Sequence, residues 1–412
     1  MFARWRTRLS PAARGGLFYF GYYGAAATYM PFLSVFFARR GLSGQEIGIL
    51  VAFGPLMALV AAPALSALAD RRGWRLGMLS AGMAGTALSL LALMLPSSFL
   101  GLLVVVALLA IATSPIGPIA DGLLARMAAR RGLSYGQMRL WGSLSYALVA
   151  AAGGALWQEA GFRVVLPVAA VLFLALMLVA PLLDDERPVT AEAPSSLRVV
   201  TRDNRLRIVL VATFLLGLGM GMALTFGGIY IDRLSGGQFL VGLFAGLTAF
   251  CELPTMHWSE NIIRRLGAPW TLVLAYVLQG SGYVGFLYIR QPELLLGVGV
   301  LQGLGFGLFL PTTVRLVDTL APAEWATTFQ GLLSAGVWGL APLVAGLLGG
   351  TLYDAGGAAA VFVACVVVTA VAAGVLAVAQ LAGIFRPTAQ PPRDSQDPPA
   401  APGAREAGPS PA

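Results

Sequence analysis

Three ionisable residues of this chain sit where a lipid-spanning segment should have none. Asp121, Arg139 and Glu252 each fall inside a long apolar run. An uncompensated charge at bilayer depth costs on the order of 3 kcal/mol, so such groups persist where they meet one another or a wet cavity. A carboxylate and a guanidinium held together can bind the hydroxyls or the carboxylate of a small solute. A carboxyl partly removed from water can take up and release a proton within the membrane.

Asp121 lies late in the fourth apolar run and Arg139 early in the fifth, joined by a tight turn at Gly132. At 1.5 Å per residue their depths differ by roughly 6 Å. Arg139, Gly142, Ser143 and Tyr146 share one helical face by their spacing of three, four and seven. That face offers a cation, a small gap, a hydroxyl and an aromatic plate. Asp121, Arg139, Ser143 and Tyr146 are therefore candidate solute ligands, and a clamp between helices is the other reading of the charged pair. Tyr22 and Tyr29 repeat at seven on the first run and either line a cavity or pack. Glu252, loosened by Pro254 two residues on, is the candidate proton carrier; the alternative is a neutral packing acid. The single histidine, His257, lies about 140° round the helix from Glu252 and does not share its face.

The elements that must position these residues follow from composition. Of 412 residues, 58% are hydrophobic and 11% charged. A soluble chain of this size needs more polar surface. A bilayer core needs about 20 apolar residues per helix, and twelve runs of that order fill the chain. The fold class is an all-α membrane protein with twelve transmembrane helices. Residues 1–183 form one six-helix bundle and 207–386 the other. A charged linker, 184–206, separates them, and a tail rich in Pro, Ala and Gly, 387–412, is disordered.

All 27 basic side chains are Arg. With both termini on one side, only Arg39, Arg40, Arg163, Arg233 and Arg290 fall on the other. The positive-inside rule then places both termini in the cytoplasm of a multi-pass plasma (inner) membrane protein. The net charge of +8 is explained by the membrane, so no nucleic-acid partner is implied. Cys251 and Cys365 lie in apolar runs, which points to packing and against a disulfide or a metal pair.

The halves repeat. Gly48 recurs as Gly242, Arg71 as Arg265 and Gly73 as Gly267; later Gly153-Gly154 recurs as Gly349-Gly350, Trp157 as Tyr353 and Gly161 as Gly357. The two bundles are thus pseudo-symmetric, as in secondary transporters whose substrate site lies between repeats. The charges do not repeat: Glu252 corresponds to Ala58 and Arg139 to Ala335.

The turn SALADRRGWRLG, with Asp70, Arg71, Gly73 and Arg75, and its counterpart ENIIRRLGAPW, with Arg264, Arg265 and Gly267, bring in a family. They resemble the signature loop of the major facilitator superfamily, Gly-x-x-x-Asp-Arg-x-Gly-Arg-Arg, with Ser66 at the first glycine and Trp74 at a usual Arg. The resemblance implies that Asp70, Arg71, Gly73, Arg264 and Arg265 gate one face. Tyr135, Gly136, Arg139, Trp141 and Gly142 resemble the branch that holds lactose permease, nucleoside–proton symporters and phenylpropionate permease. That branch implies sugar-type contacts for Asp121, Arg139 and Tyr146, and an acid at Glu252. Its common helix-ten histidine is replaced by Gln302.

The function expected is secondary active transport by alternating access: proton-coupled uptake of a nucleoside, sugar or aromatic acid. Proton-driven efflux of amphipathic compounds is the alternative. One His and two scattered Cys provide no nucleophile–base set and no metal ligands, so no enzyme and no cofactor is expected. The partners are a small solute, protons and the bilayer, and the chain is expected to act as a monomer.

Overall fold

The computed structural model describes residues 9–96, 98–184, 203–321 and 325–385. The expected linker and tail lie almost wholly outside these residues. Among the described residues there is no strand, and ten helices are long and apolar enough to cross a membrane. Two features bring the count of rods to twelve. The first rod, Pro11–Tyr29, a 3-10 turn Met30–Phe32 and Leu33–Arg39, is interrupted at Pro31. The last and longest span, Thr328–Leu381, is two rods folded at Gly356 and Gly357.

The second to sixth rods are Gly44–Arg72, Arg75–Ala92, Phe99–Thr113 with Ile116–Arg131, Tyr135–Ala160 and Phe162–Met177. The seventh to tenth are Asn204–Arg233, Gly237–Leu266, Ala268–Tyr288 and Leu295–Leu320. The eleventh opens with Ala326–Ser334 and a π-helical turn, Ala335–Leu340. Local chemistry sets several ends. Ser43 and Glu46 form a reciprocal capping box at the start of the second rod. Gly73 and Gly267, and likewise Gly161 and Gly357, hold positive φ at equivalent turns of the two halves, a conformation that other L-residues avoid.

The first described residues and the last lie at the same face, here called the near face. The bundles touch in the halves away from it. Gly48 of the second rod meets the backbone of Gly346, and Gly44 meets that of Gly350. Their repeat counterparts do the same across the other seam: Gly242 of the eighth rod meets Ala150 and Gly154 of the fifth. Any side chain at Gly48 or Gly242 would collide with a carbonyl, so backbone contact itself closes the far face.

Polar bridges finish this far-face seal. Asp354, at the end of the eleventh rod, accepts hydrogen bonds from the backbone N–H of Gly44 (2.6 Å) and Gln45 (2.8 Å). It thereby caps the second rod from the opposite bundle. At the equivalent place Gln158 accepts from the N–H of Phe239 at 3.1 Å. Arg39 grips Asp232 with two hydrogen bonds, 3.0 and 2.6 Å, between the first and seventh rods. These near-face ion pairs of described residues each stay within one bundle: Arg14 and Arg131 with Asp184, Arg75 with Asp70, Arg205 with Asp203, and Arg315 with Glu260. Among the described residues, these glycine and polar contacts between the bundles lie toward the far face.

Candidate solute site

Two antiparallel rods fix the depth of the site. The fifth and eighth cross at Ala147 and Gly246, where Gly246 lies against the Ala147 carbonyl. From that crossing toward the near face, Arg139 is two turns away on one rod and Glu252 under two turns away on the other. At 1.5 Å per residue that is roughly 12 and 9 Å, so the two charges stand at similar depth on either side of the opening. Both are half-buried, and Glu252 lies within electrostatic reach of Arg139 and of Tyr146.

The Asp121–Arg139 pair differs from the sequence expectation. A tyrosine stands between the two charges. Tyr19 donates its hydroxyl proton to Asp121 Oδ1 at 2.6 Å, and its oxygen lies 3.0 Å from the Tyr135 hydroxyl. The Arg139 guanidinium carbon sits over two rings of the first rod, 4.1 Å from the centre of Tyr23 and 5.3 Å from that of Tyr19. The cation is thus held over ring faces, with the Tyr23 hydroxyl also within its hydrogen-bonding reach. Gly142 allows this, because a Cβ there would strike the Tyr23 ring. The small gap expected on the Arg139 face is filled by Tyr23.

The remaining expected ligands are distributed as follows. Tyr22 stacks on Phe18 and meets Tyr23 edge-on, with its hydroxyl near Gly117. Tyr29 is buried edge-on against Phe173, within electrostatic reach of Tyr146. Ser143 and Tyr146 are half-buried. The adjacent Ser145 instead ties the rods together, donating to the Phe20 carbonyl at 2.6 Å. Tyr19 and Tyr23 were not singled out in the sequence, and Tyr135 was named there only for its motif and not as a solute ligand. The signal for the first two was present in the i, i+4 spacing of Tyr19 and Tyr23 within FYFGYYG.

Gln302 also lies elsewhere than its motif position implied. Its carbonyl accepts from Gln279 Nε2 at 3.1 Å, and its side chain packs against Gly282, both on the ninth rod. Two glycines of the tenth rod meet the eighth near Glu252: Gly303, against Thr248 and Cys251, and Gly307, against Glu252 and Thr255. The Gln302 side chain is thus packed toward the ninth rod. The gating candidates lie apart from the site. Asp70, Arg71, Gly73, Arg264 and Arg265 are exposed at the near face, with Asp70 paired to Arg75 and Arg264 bonded to Asn261.

The arrangement offers hydrogen-bond donors on Arg139, an acceptor on Asp121, aromatic rings, and a second carboxyl across the opening. This suits a hydroxyl-bearing or anionic organic solute, and it contains no nucleophile–base pair. Comparison with known proteins identifies the family. The MFS_1 like family model matches residues 14–364. The maltose permease of Geobacillus stearothermophilus is 31% identical over 346 residues, which cover 82% of this chain and 86% of that protein. The multidrug resistance protein MdtG of Salmonella paratyphi A is 25% identical over 310 residues, 71% and 76% of the respective chains. The crystal structure of the nucleoside transporter NupG shares the fold, with a TM-score of 0.77 at 14% identity over 92% of this chain and 100% of that one. The chain belongs to the MFS_1 like family: it is a multi-pass membrane transporter of the major facilitator fold and not an enzyme.

Proposed function

We propose that the protein takes up a small, hydroxyl-rich organic solute, a sugar or nucleoside before an aromatic acid, together with protons. The observation that carries this reading is the cluster Asp121–Tyr19–Arg139 facing Glu252 across the bundle interface. Asp121 and Arg139 bind the solute, the tyrosine rings stack on it, and Glu252 carries the proton. The maltose permease relative supports a sugar first. The arginine content of the near face supports reading it as cytoplasmic, and the far-face contacts between bundles support an inward-facing reading in an inner membrane. The near-face turns around Asp70, Arg71, Gly73, Arg264 and Arg265 close that side when the far-face seams part. One chain holds a complete site, which fits a monomer.

A thermal-shift screen of purified protein against maltose, nucleosides and aromatic acids tests the solute class. The expected result is stabilisation by a hydroxylated ligand that disappears in Arg139→Ala. An unchanged shift in that variant would return Arg139 to a structural role. For coupling, Glu252→Gln is expected to abolish uphill accumulation while leaving exchange of solute across the membrane. Normal accumulation under a proton gradient would remove Glu252 from the mechanism. The similarity to MdtG favours efflux as the second reading. Inverted vesicles that accumulate solute against its gradient on acidification of their interior would select it.

A further inference from the structure

The far face carries few arginines, and three of them converge. Arg39, Arg40 and Arg163 line a single cavity of about 320 Å³, with Phe36, Met94 and Phe162 as its apolar wall. The cavity is built where the first, third and sixth rods end, which is headgroup depth for a spanning chain. Basic residues are disfavoured on this side by the charge bias of the rest of the sequence, so their concentration at one place calls for a reason.

Their charges are unevenly spent. Arg40 donates to the carbonyls of Pro96 (2.7 Å) and Met94 (3.4 Å) and lies over the Phe36 ring, partners that carry no compensating charge. Arg163 is exposed and has no hydrogen bond or ion pair with any described residue; Glu159, the nearest acid in sequence, does not reach it. Arg39 is committed to Asp232 across the bundles. The cavity is too small for a whole lipid, but it matches a phosphate with its glycerol.

We propose that this cavity is a binding site for the phosphate headgroup of an anionic phospholipid in the far-face leaflet, held by Arg163 and Arg40 and, once it leaves Asp232, by Arg39. Because Arg39 lines the cavity and also forms the latch to Asp232, headgroup binding and far-face closure compete for one side chain and are reciprocally linked.

Native mass spectrometry of the full chain in detergent, titrated with phosphatidylglycerol or phosphatidylcholine, reads the site directly. Wild type is expected to bind phosphatidylglycerol tighter than phosphatidylcholine. Arg163→Gln should weaken this by about fivefold, the scale of one basic residue at an anionic membrane surface. Arg163→Lys should keep most of it, and Arg207→Gln, at the opposite face, should keep all of it. Asp232→Asn, which releases Arg39, should tighten binding. Equal binding of the two lipids, full retention in Arg163→Gln, or an equal loss in Arg207→Gln would overturn the site. Displacement by millimolar inorganic phosphate would show a soluble anion to be the ligand and overturn the lipid assignment. Unchanged binding in Asp232→Asn would overturn the link to the latch.

Discussion

Arg139 is the residue on which the proposed site turns, and two tyrosine rings hold it. A guanidinium over a ring face gains about 0.5–2 kcal/mol. Tyr23→Leu should therefore loosen the cation and weaken solute affinity by about two- to thirtyfold, the same range expressed as a binding ratio. Tyr23→Phe should bind nearly as well as wild type, because the ring face is kept. Isothermal titration of both variants with the solute found in the screen checks this, and equal losses would show that the hydroxyl matters instead. Gly142→Ala offers an independent test, since its methyl would displace the same ring. The charges were legible in the sequence because Asp121, Arg139 and Glu252 interrupt apolar runs. The tyrosines between them were not, because aromatic side chains fit packed and cavity-lining positions equally well.

At the scale of elements, closure of the far face depends on two glycine seams that repeat between the halves. Gly48 and Gly242 each face a carbonyl of the opposite bundle. Overpacking a close contact costs about 1–3 kcal/mol where the structure can shift, and here the shift available is separation of the bundles. Gly48→Leu and Gly242→Leu should hold the far face open and arrest transport while the protein still inserts. A membrane-impermeant maleimide should then label Val35→Cys, in a background without Cys251 and Cys365, faster than in the parent with Gly48 and Gly242 intact. An unchanged labelling rate would remove the seams from the gate. The repeat of these glycines was visible in the sequence, and so was the failure of the charges to repeat. What the glycines pair with was not visible, because the contacts run between the halves and not within either one.

For the whole molecule, the far-face seal combines backbone contact with polar bridges of different strength. Arg39–Asp232 is partly exposed, with the arginine side chain 45% accessible. Such a pair contributes about 0.2–1 kcal/mol and weakens as salt rises. Asp232→Asn should shift the equilibrium toward the far-open state by no more than about fivefold, the upper end of that range, and remove its salt dependence. Asp354→Ala removes two backbone partners at once and should shift it further, with little salt dependence. Spin-label distances across the far face report both. A larger effect from Asp232→Asn than from Asp354→Ala would reverse this ranking.

The sequence by itself determined the medium, the number of rods, the duplicated architecture and the identity of the stranded charges. These are properties of hydropathy and residue type, which are written along the chain. Tertiary structure alone decided which faces meet. A rod that is apolar all round carries no stripe to specify its rotation, so periodicity cannot say what a residue confronts. Packing placed Tyr19 between Asp121 and Arg139 and filled the Gly142 gap with Tyr23. It turned Gln302 to the ninth rod and drew three far-face arginines around one cavity.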